Sequence, residues 1–494
     1  MSTMSSELPS YVASAQPVPS TNRIAWYKST AQTYAGIMLW FVFWQDIPIW
    51  QSLNPATAGD FSRYAGGTLS QGLGWAFMGL VAAALLCHFF YYLVPGLMGL
   101  KTGLPLYIVG TSTYGVLGGF LLPGFLMGLL QFGWLGVNAF FSSLLLVVPF
   151  GIEPLSTPHV VVAAIWAIAA AFLGLKGIKY VAAVATFLPL IPLAILIILF
   201  VSTVSGLGSF DAATTAGATA QVPIAEKGNL SAFEPLSKWG VVSAMLIYVI
   251  GFFATAGAAG ADFGMGNRDR RDVQLGGLVG ISLATIFAGG LSLLIVAGAW
   301  GMGKVPAAEP ALRTTALMDN IMGGTVSSIF MYLLAIAAFP PACFSAFIAA
   351  NSFKTTLPKV NPFISVGIGT LFSIILAASG KAGNAAGVFN IIGASFGPIC
   401  GAMVADYLLA GNKWPGPRAG FNPAGWISWL VGFTVGAFSM IGGSIPVLEA
   451  WKDVVPVPPL SAFVVGFLIY WLLARIGLTT RVLAMPAVAE QPAA

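Results

Sequence analysis

The chain has 494 residues, 57% of them hydrophobic and 7% charged, with a mean hydropathy of +0.88 and a net charge of +5. Soluble domains carry about 25% charged residues, so the composition excludes a soluble fold and points to a polytopic membrane protein. The basic residues are scattered between apolar runs, which argues against nucleic acid as a partner.

Cys87, Cys343 and Cys400 all lie in apolar runs and form neither a disulfide framework nor a metal-ligand spacing. His88 and His159 are the only histidines, and no acidic cluster lies inside an apolar run. The constellation an integral-membrane enzyme needs is therefore missing. No metal site and no cofactor are expected.

Residues 1–30 are rich in Ser, Pro and Thr and have no apolar core. They read as a disordered cytoplasmic tail, not a signal peptide. A bilayer-spanning helix needs about 20 apolar residues. On that basis helix 1 is predicted over 32–51, interrupted late by Gln45, Asp46 and Pro48. A polar stretch with Asp60 and Arg63 follows. Helices 2 to 5 are predicted over 73–96, 117–147, 158–174 and 180–203. The longest polar loop, 205–238, comes next. Helices 6 and 7 are predicted over 239–261 and 274–301. Helix 8, over 326–352, is expected to break at Pro340-Pro341. Helix 9 spans 361–379, and helix 10, over 386–409, is expected to break at Gly397-Pro398. Helices 11 and 12 are predicted over 425–444 and 458–475, before a second cytoplasmic tail at 479–494.

Twelve spans put both termini on one side. With the tails in the cytoplasm, fourteen of the 21 lysines and arginines fall on the cytoplasmic side and seven on the other. That is the bias cytoplasmic loops carry, and it predicts a multi-pass plasma-membrane protein. Polar or glycine-rich interruptions occur in helix 1 and, five helices later, at Ala254–Gly260 in helix 6. Paired interrupted helices in two halves suggest an inverted repeat with a site near the midplane. Unwound backbone there is tolerated where it lines a cavity.

The stretch Gly128–Phe141 is where a substrate is expected. Gln131, Trp134 and Asn138 are spaced by three and four, on one helical face. An indole offers a stacking surface to a flat heterocycle, and a neighbouring amide can bond its edge. The plainer reading makes them helix-packing groups, and for Asn138 that is preferred. Asp46 is the charge expected inside a span, where charges are costly and usually functional. Wetting of Asp46 at an outer mouth is the alternative. Asp262 and Asp406 stand near cytoplasmic helix ends, where each could gate by pairing with Arg268, Arg270 or Arg271 or, as the equal alternative, simply be solvated.

Four pieces of sequence carry a resemblance. They are Gly67–Leu73 with Lys101–Leu104, then Gln131–Gly136, then Ala261-Asp262-Phe263, and last Gly397-Pro398 with Gly401 and Ala405–Leu408. In this order they resemble the nucleobase:cation symporter family of cytosine, purine, uracil, hydantoin and allantoin permeases, closest to the cytosine and purine members. The resemblance implies an all-α LeuT-type fold. Residues 31–205 would hold helices 1–5, residues 206–410 a loop and helices 6–10, and residues 411–478 helices 11 and 12. It implies a substrate between helices 1, 3, 6 and 8. Gln131 and Trp134 match the family's helix 3 pair, Phe253 its helix 6 aromatic and Thr255 a nearby hydroxyl. Gly36 and Trp40 match its helix 1 contribution.

Helix 8 departs from the sodium-coupled pattern. Ala337–Ser345 lacks the paired threonines and the Asn, and resembles the fungal proton-coupled members. Cys343 becomes the helix 8 substrate candidate and Ser345, with Asp46 and Asp262, an ion-coupling or gating candidate. The expectation is a secondary active importer of a nucleobase of the cytosine or purine type, working by cation-coupled symport and alternating access. A related small planar heterocycle, such as uracil, hydantoin, allantoin or a vitamin precursor, is the alternative. The protein would be embedded in the bilayer as a monomer or weak homo-oligomer. It would be coupled to H+ in preference to Na+.

Overall fold

The computed structural model describes residues 8–49, 65–176, 187–219, 235–305 and 312–485. Asp60, Arg63, Lys179 and Lys227, with parts of the two polar segments and the first residues expected of helix 5, lie outside them.

The described residues form helices and turns with no β-strand. We number the helices α1 (Thr30–Leu39, continued by Phe41–Trp44), α2 (Leu73–Thr102), α3 (Phe120–Phe150), α4 (Thr157–Lys176), α5 (Leu190–Ser209), α6 (Lys238–Ala258, continued by Gly260–Gly264), α7 (Arg270–Gly301), α8 (Gly324–Thr356), α9 (Pro362–Ala378), α10 (Ala385–Leu409), α11 (Pro423–Gly436) and α12 (Pro458–Arg475). Among the described residues nine of them, α2–α8, α10 and α12, are long and apolar enough to cross a membrane. α9 has 17 residues, α11 14 and the first part of α1 10.

The helices pack as two bodies. α1, α2, α6 and α7 pack on one another, and α3, α4, α8 and α9 form the other set. α10 packs against α6 and, most extensively, α12. It is also the most enclosed of the nine. Lipid tails are as apolar as leucine, so helices in a bilayer associate through close packing rather than hydrophobic burial. The end of α2 and the end of α6 show this. A Cβ on Gly99 would stand 2.0 Å from the Ala261 carbonyl oxygen, and one on Gly264 2.0 Å from that of Gly96.

Three of the four interruptions differ from those expected. α1 breaks at Trp40, whose backbone is extended at ψ 125°, and its helical part ends at Trp44, before the polar residues. α6 turns at Ala259, inside the predicted run. α8 and α10 are not broken: each continues through its prolines. A proline removes one N–H and crowds the carbonyl four residues back, but neighbours in a bundle can hold the freed groups. The carbonyls freed by Pro340 and Pro341 are those of Ile336 and Ala337, and Asn138 Nδ2 donates to the next one along, Ala338 O, at 2.9 Å. α2, α3 and α7 each contain a π-helical turn, at Cys87–Tyr92, Phe120–Phe125 and Leu278–Leu283.

The N-terminal segment is the largest correction. Expected to be disordered, residues 8–28 lie across one end of the bundle. Val18 N donates to Gly103 O and Ile24 N to Gly266 O, both at 2.9 Å. Arg23 Nη1 donates to Leu100 O at 3.0 Å. Tyr11 Oη donates to Val116 O, its ring lies 5.3 Å from that of Phe120, and Val12 is fully buried. Between α2 and α3 two short turns, Leu106–Val109 and Thr111–Tyr114, complete this end.

Candidate functional site

The α1 break brings Trp40 into an aromatic cluster built on Trp134. Trp134 is the fifteenth of the 31 residues of α3, so it stands near mid-height. Its ring is 5.9 Å from Trp40, 5.0 Å and edge-on to Phe252 of α6, and 5.0 Å and stacked on Phe389 of α10. Phe252 also packs on Phe43, at 4.7 Å, and on Phe389, at 5.2 Å. Trp134 Nε1 donates to Thr255 Oγ1 at 3.3 Å, which ties α3 to α6 just before the Ala259 turn. Gln131, one turn before Trp134, is 6% exposed. Among the described residues its Nε2 meets only the thioether of Met127, at 3.6 Å, and sulfur is a weak acceptor. The amide is thus enclosed but poorly paired.

Of the expected site residues, Trp40, Trp134 and Thr255 come together, and Gln131 lies on the same helix one turn away. Phe253 does not join them: it faces Tyr34 at 5.6 Å, and Phe252 takes the place beside Trp134. Neighbouring helical residues point about 100° apart, so one position of offset turns the ring to a different side of α6. Gly36 faces Pro189, whose Cγ is 3.6 Å from where a Cβ would stand. Cys343 is buried in a separate apolar cluster with Ala167, Ala170 and Ala171 of α4. Ser345 Oγ bonds back to Pro341 O at 3.3 Å. Asn138 joins three helices: beyond its bond to Ala338, it accepts from Trp166 Nε1 at 2.9 Å and Ser142 Oγ at 3.1 Å.

The charged candidates also have partners other than those expected. Asp46 lies in the turn after α1 and pairs with Arg313 at 2.6 Å, and the guanidinium sits over the Phe141 ring at 5.1 Å. Thr315 Oγ1 donates to Gln45 Oε1 at 2.8 Å and Thr314 N to Gln45 O at 3.1 Å. The segment before α8 is thereby pinned on the end of α1.

At the opposite end, Asp262 accepts from Leu106 N at 2.9 Å. Burial raises its carboxyl to about 6, against the lowering effect of that bond. Arg268 is taken by Asp272 at 2.7 Å. Asp406 pairs with Arg418 at 2.8 Å and accepts from Tyr470 Oη at 2.8 Å and Ser112 Oγ at 2.7 Å. Neither Asp262 nor Asp406 forms the expected pair with Arg268, Arg270 or Arg271. The missed residues, Phe252 as the facing ring, Phe389 and Arg313, carry no motif. Only the helix packing assembles them. Among the described residues no group of three or more His, Cys, Asp or Glu could hold a metal ion.

No curated protein matches the chain. Solved structures do. Mhp1 in an inward-facing conformation matches with TM-score 0.63 and 14% identity, over 98% of each chain. Mhp1, described as a nucleobase-cation-symport-1 family transporter, in a closed conformation with bromovinylhydantoin bound, gives 0.60 and 15%, again over 98% of each. A Na+-coupled sialic acid symporter gives 0.51 and 14%, over 91% of this chain and 90% of that one. These likenesses establish the LeuT-type fold. Residues 42–413, about three quarters of the sequence, match the permeases for cytosine/purines, uracil, thiamine and allantoin, and the chain belongs to that family.

Proposed function

We propose that the protein imports an uncharged planar heterocycle of the nucleobase type, in symport with a proton, by alternating access across the plasma membrane. The observation that carries this reading is the Trp134 cluster. At mid-height in an apolar bundle it offers an indole face, with the underpaired Gln131 amide one turn away. The ring stacks on Trp134 with Phe252 edge-on, and Gln131 bonds its edge. Cytosine and purines are the preferred substrates. Hydantoin is the next, since Mhp1 is described with a hydantoin bound.

The placement of groups on α8 supports protons over sodium. A sodium site needs several converging oxygens. Here the Ser345 hydroxyl bonds to its own helix, and the Ala338 carbonyl already accepts from Asn138. The Lys/Arg distribution supports cytoplasmic termini. A ligand moves a two-state equilibrium only by its differential affinity for the two states. Proton and heterocycle must therefore favour the same closed state.

The test is uptake into proteoliposomes with proton and sodium gradients imposed separately, with cytosine, adenine, uracil, hydantoin and allantoin as competitors. Proton-driven uptake blocked by one of these compounds, and lost in Trp134→Ala, is the expected result. Uptake driven by sodium alone would overturn the coupling assignment, and normal uptake in Trp134→Ala would overturn the site.

A further inference from the structure

The cluster contains two indoles whose N–H groups differ. Trp134 Nε1 is committed to Thr255 Oγ1. Trp40 Nε1 is buried and has no hydrogen-bond partner among the described residues, and Trp40 is more than nine-tenths buried, at 8% exposed. The rings around it, Trp134 at 5.9 Å and Phe252 at 6.3 Å, offer no oxygen or nitrogen acceptor. A buried donor left unpaired is costly, and native structures leave few of them.

The fold also fixes where this donor stands. Trp40 is the extended residue of the α1 break. On one side of it Trp44 Nε1 donates to Leu39 O at 2.9 Å. On the other, Tyr248 Oη lies 2.9 Å from both Val42 O and Phe43 O. The break is held from both flanks, so the indole is presented by the backbone and not by a free loop.

We infer that Trp40 is a specificity-determining donor, whose indole N–H bonds a carbonyl oxygen on the edge of the transported ring. The inference rests on the Trp134 cluster being the substrate site. It divides the work between the indoles: Trp134 gives a face and Trp40 gives a proton donor. The substrate class narrows to oxo-heterocycles. A ring bearing an amine where the carbonyl should be brings a donor to a donor. A site built to hydrogen-bond one group rejects the analogue that lacks it, far more strongly than an apolar pocket rejects a missing methylene.

The experiment is equilibrium competition binding to purified protein, with paired ligands that differ at one ring position. Hypoxanthine against adenine, and cytosine against 2,4-diaminopyrimidine, are such pairs. In the wild type the oxo member of the pair that binds is favoured by about tenfold or more. Trp40→Phe, which keeps an aromatic ring and removes the N–H, weakens the oxo member by about tenfold more than the amino member, so the ratio collapses. Equal weakening of both members, or no change in either, overturns the inference. So does a wild-type ratio of one or one favouring the amine, whatever the variant's folding. Trp134→Ala run beside it separates the two failures. If Trp134→Ala binds every compound normally, the site itself is wrong. If Trp134→Ala loses binding while Trp40→Phe keeps the ratio, only the donor role is wrong.

Discussion

Tyr34 and Tyr248 cap each other's helix. Tyr34 of α1 donates its hydroxyl to Ala256 O of α6 at 2.8 Å, three residues before the Ala259 turn. Tyr248 of α6 returns the bond to α1, at Val42 O and Phe43 O, just past the Trp40 break. Each interrupted helix thus has carbonyls near its interruption held by the other. Unpaired backbone groups in a bilayer are costly, so the two interruptions support one another.

Removing one cap tests this mutual support. Tyr248→Phe removes the one O–H that the Val42 and Phe43 carbonyls share and is expected to destabilise the protein by about 1–3 kcal/mol. Tyr34→Phe removes the donor of a single carbonyl and should cost less. Thermal unfolding in detergent, followed by loss of the monodisperse peak, ranks the two. The reverse order would mean that the Ala256 cap carries more of the load.

The position of Phe252 gives a sharper comparison. Phe252 is edge-on to Trp134, whereas Phe253 packs on Tyr34. Phe252→Ala is expected to weaken substrate binding by about tenfold or more, the scale of a lost aromatic contact. Phe253→Ala should act mainly on stability. Binding constants and melting temperatures measured on the same two preparations check it. A larger loss of affinity in Phe253→Ala would contradict the placement.

The Asp406–Arg418 pair is buried, and both carboxylate oxygens are bonded: Arg418 and Tyr470 reach one, Ser112 and Thr113 the other. Arg418→Met leaves the charge without its counter-ion. Breaking such a pair from one side costs about 3–5 kcal/mol. The double variant Asp406→Leu/Arg418→Met should recover part of the loss, because no lone charge remains. Expression yield and thermal stability of the three variants decide it. A double variant worse than the single would show that the hydrogen bonds to Ser112 and Tyr470 outweigh the charge.

Asp262 sets a pH dependence. Its carboxyl is raised to about 6 in the folded protein, from about 3.9 in an unfolded chain. The folded state therefore holds the proton more tightly. Its contribution to stability is fully present below about pH 4 and is lost as the pH rises through about 6. Asp262→Asn should flatten the stability profile across that window. Thermal unfolding at pH 4.5, 5.5 and 6.5 for both proteins measures it, and parallel profiles would assign the titration elsewhere.

The spans were readable because hydropathy alone fixes them. α12 covers the predicted 458–475, and α4, α9 and α10 agree within two residues at each end. The break in α1 was not readable. Ile37–Trp44 is uniformly apolar, with neither Gly nor Pro, and the break is held by the Trp44 indole within that run and by Tyr248 from a distant helix. The choice of Phe252 over Phe253 was hidden for a related reason. α6 is apolar on all sides, so no amphipathic stripe reports its rotation. The prolines of α8 and α10 misled because a packed bundle tolerates what an isolated helix does not. The N-terminal segment misled by composition: Leu8, Tyr11 and Val12 are few among Ser and Pro, yet they are the residues that anchor it.

That segment straddles the seam between the two helical bodies. Val18, Arg23 and Ile24 are fastened to the side of α2 and α6, whereas Tyr11 is fastened to the beginning of α3. The six residues between Tyr11 and Val18 can stretch to at most about 25 Å, so the two attachments limit how far the bodies part at this end. A fluorescent reporter beside Tyr11 would therefore register movement between the bodies as a tether pulled taut.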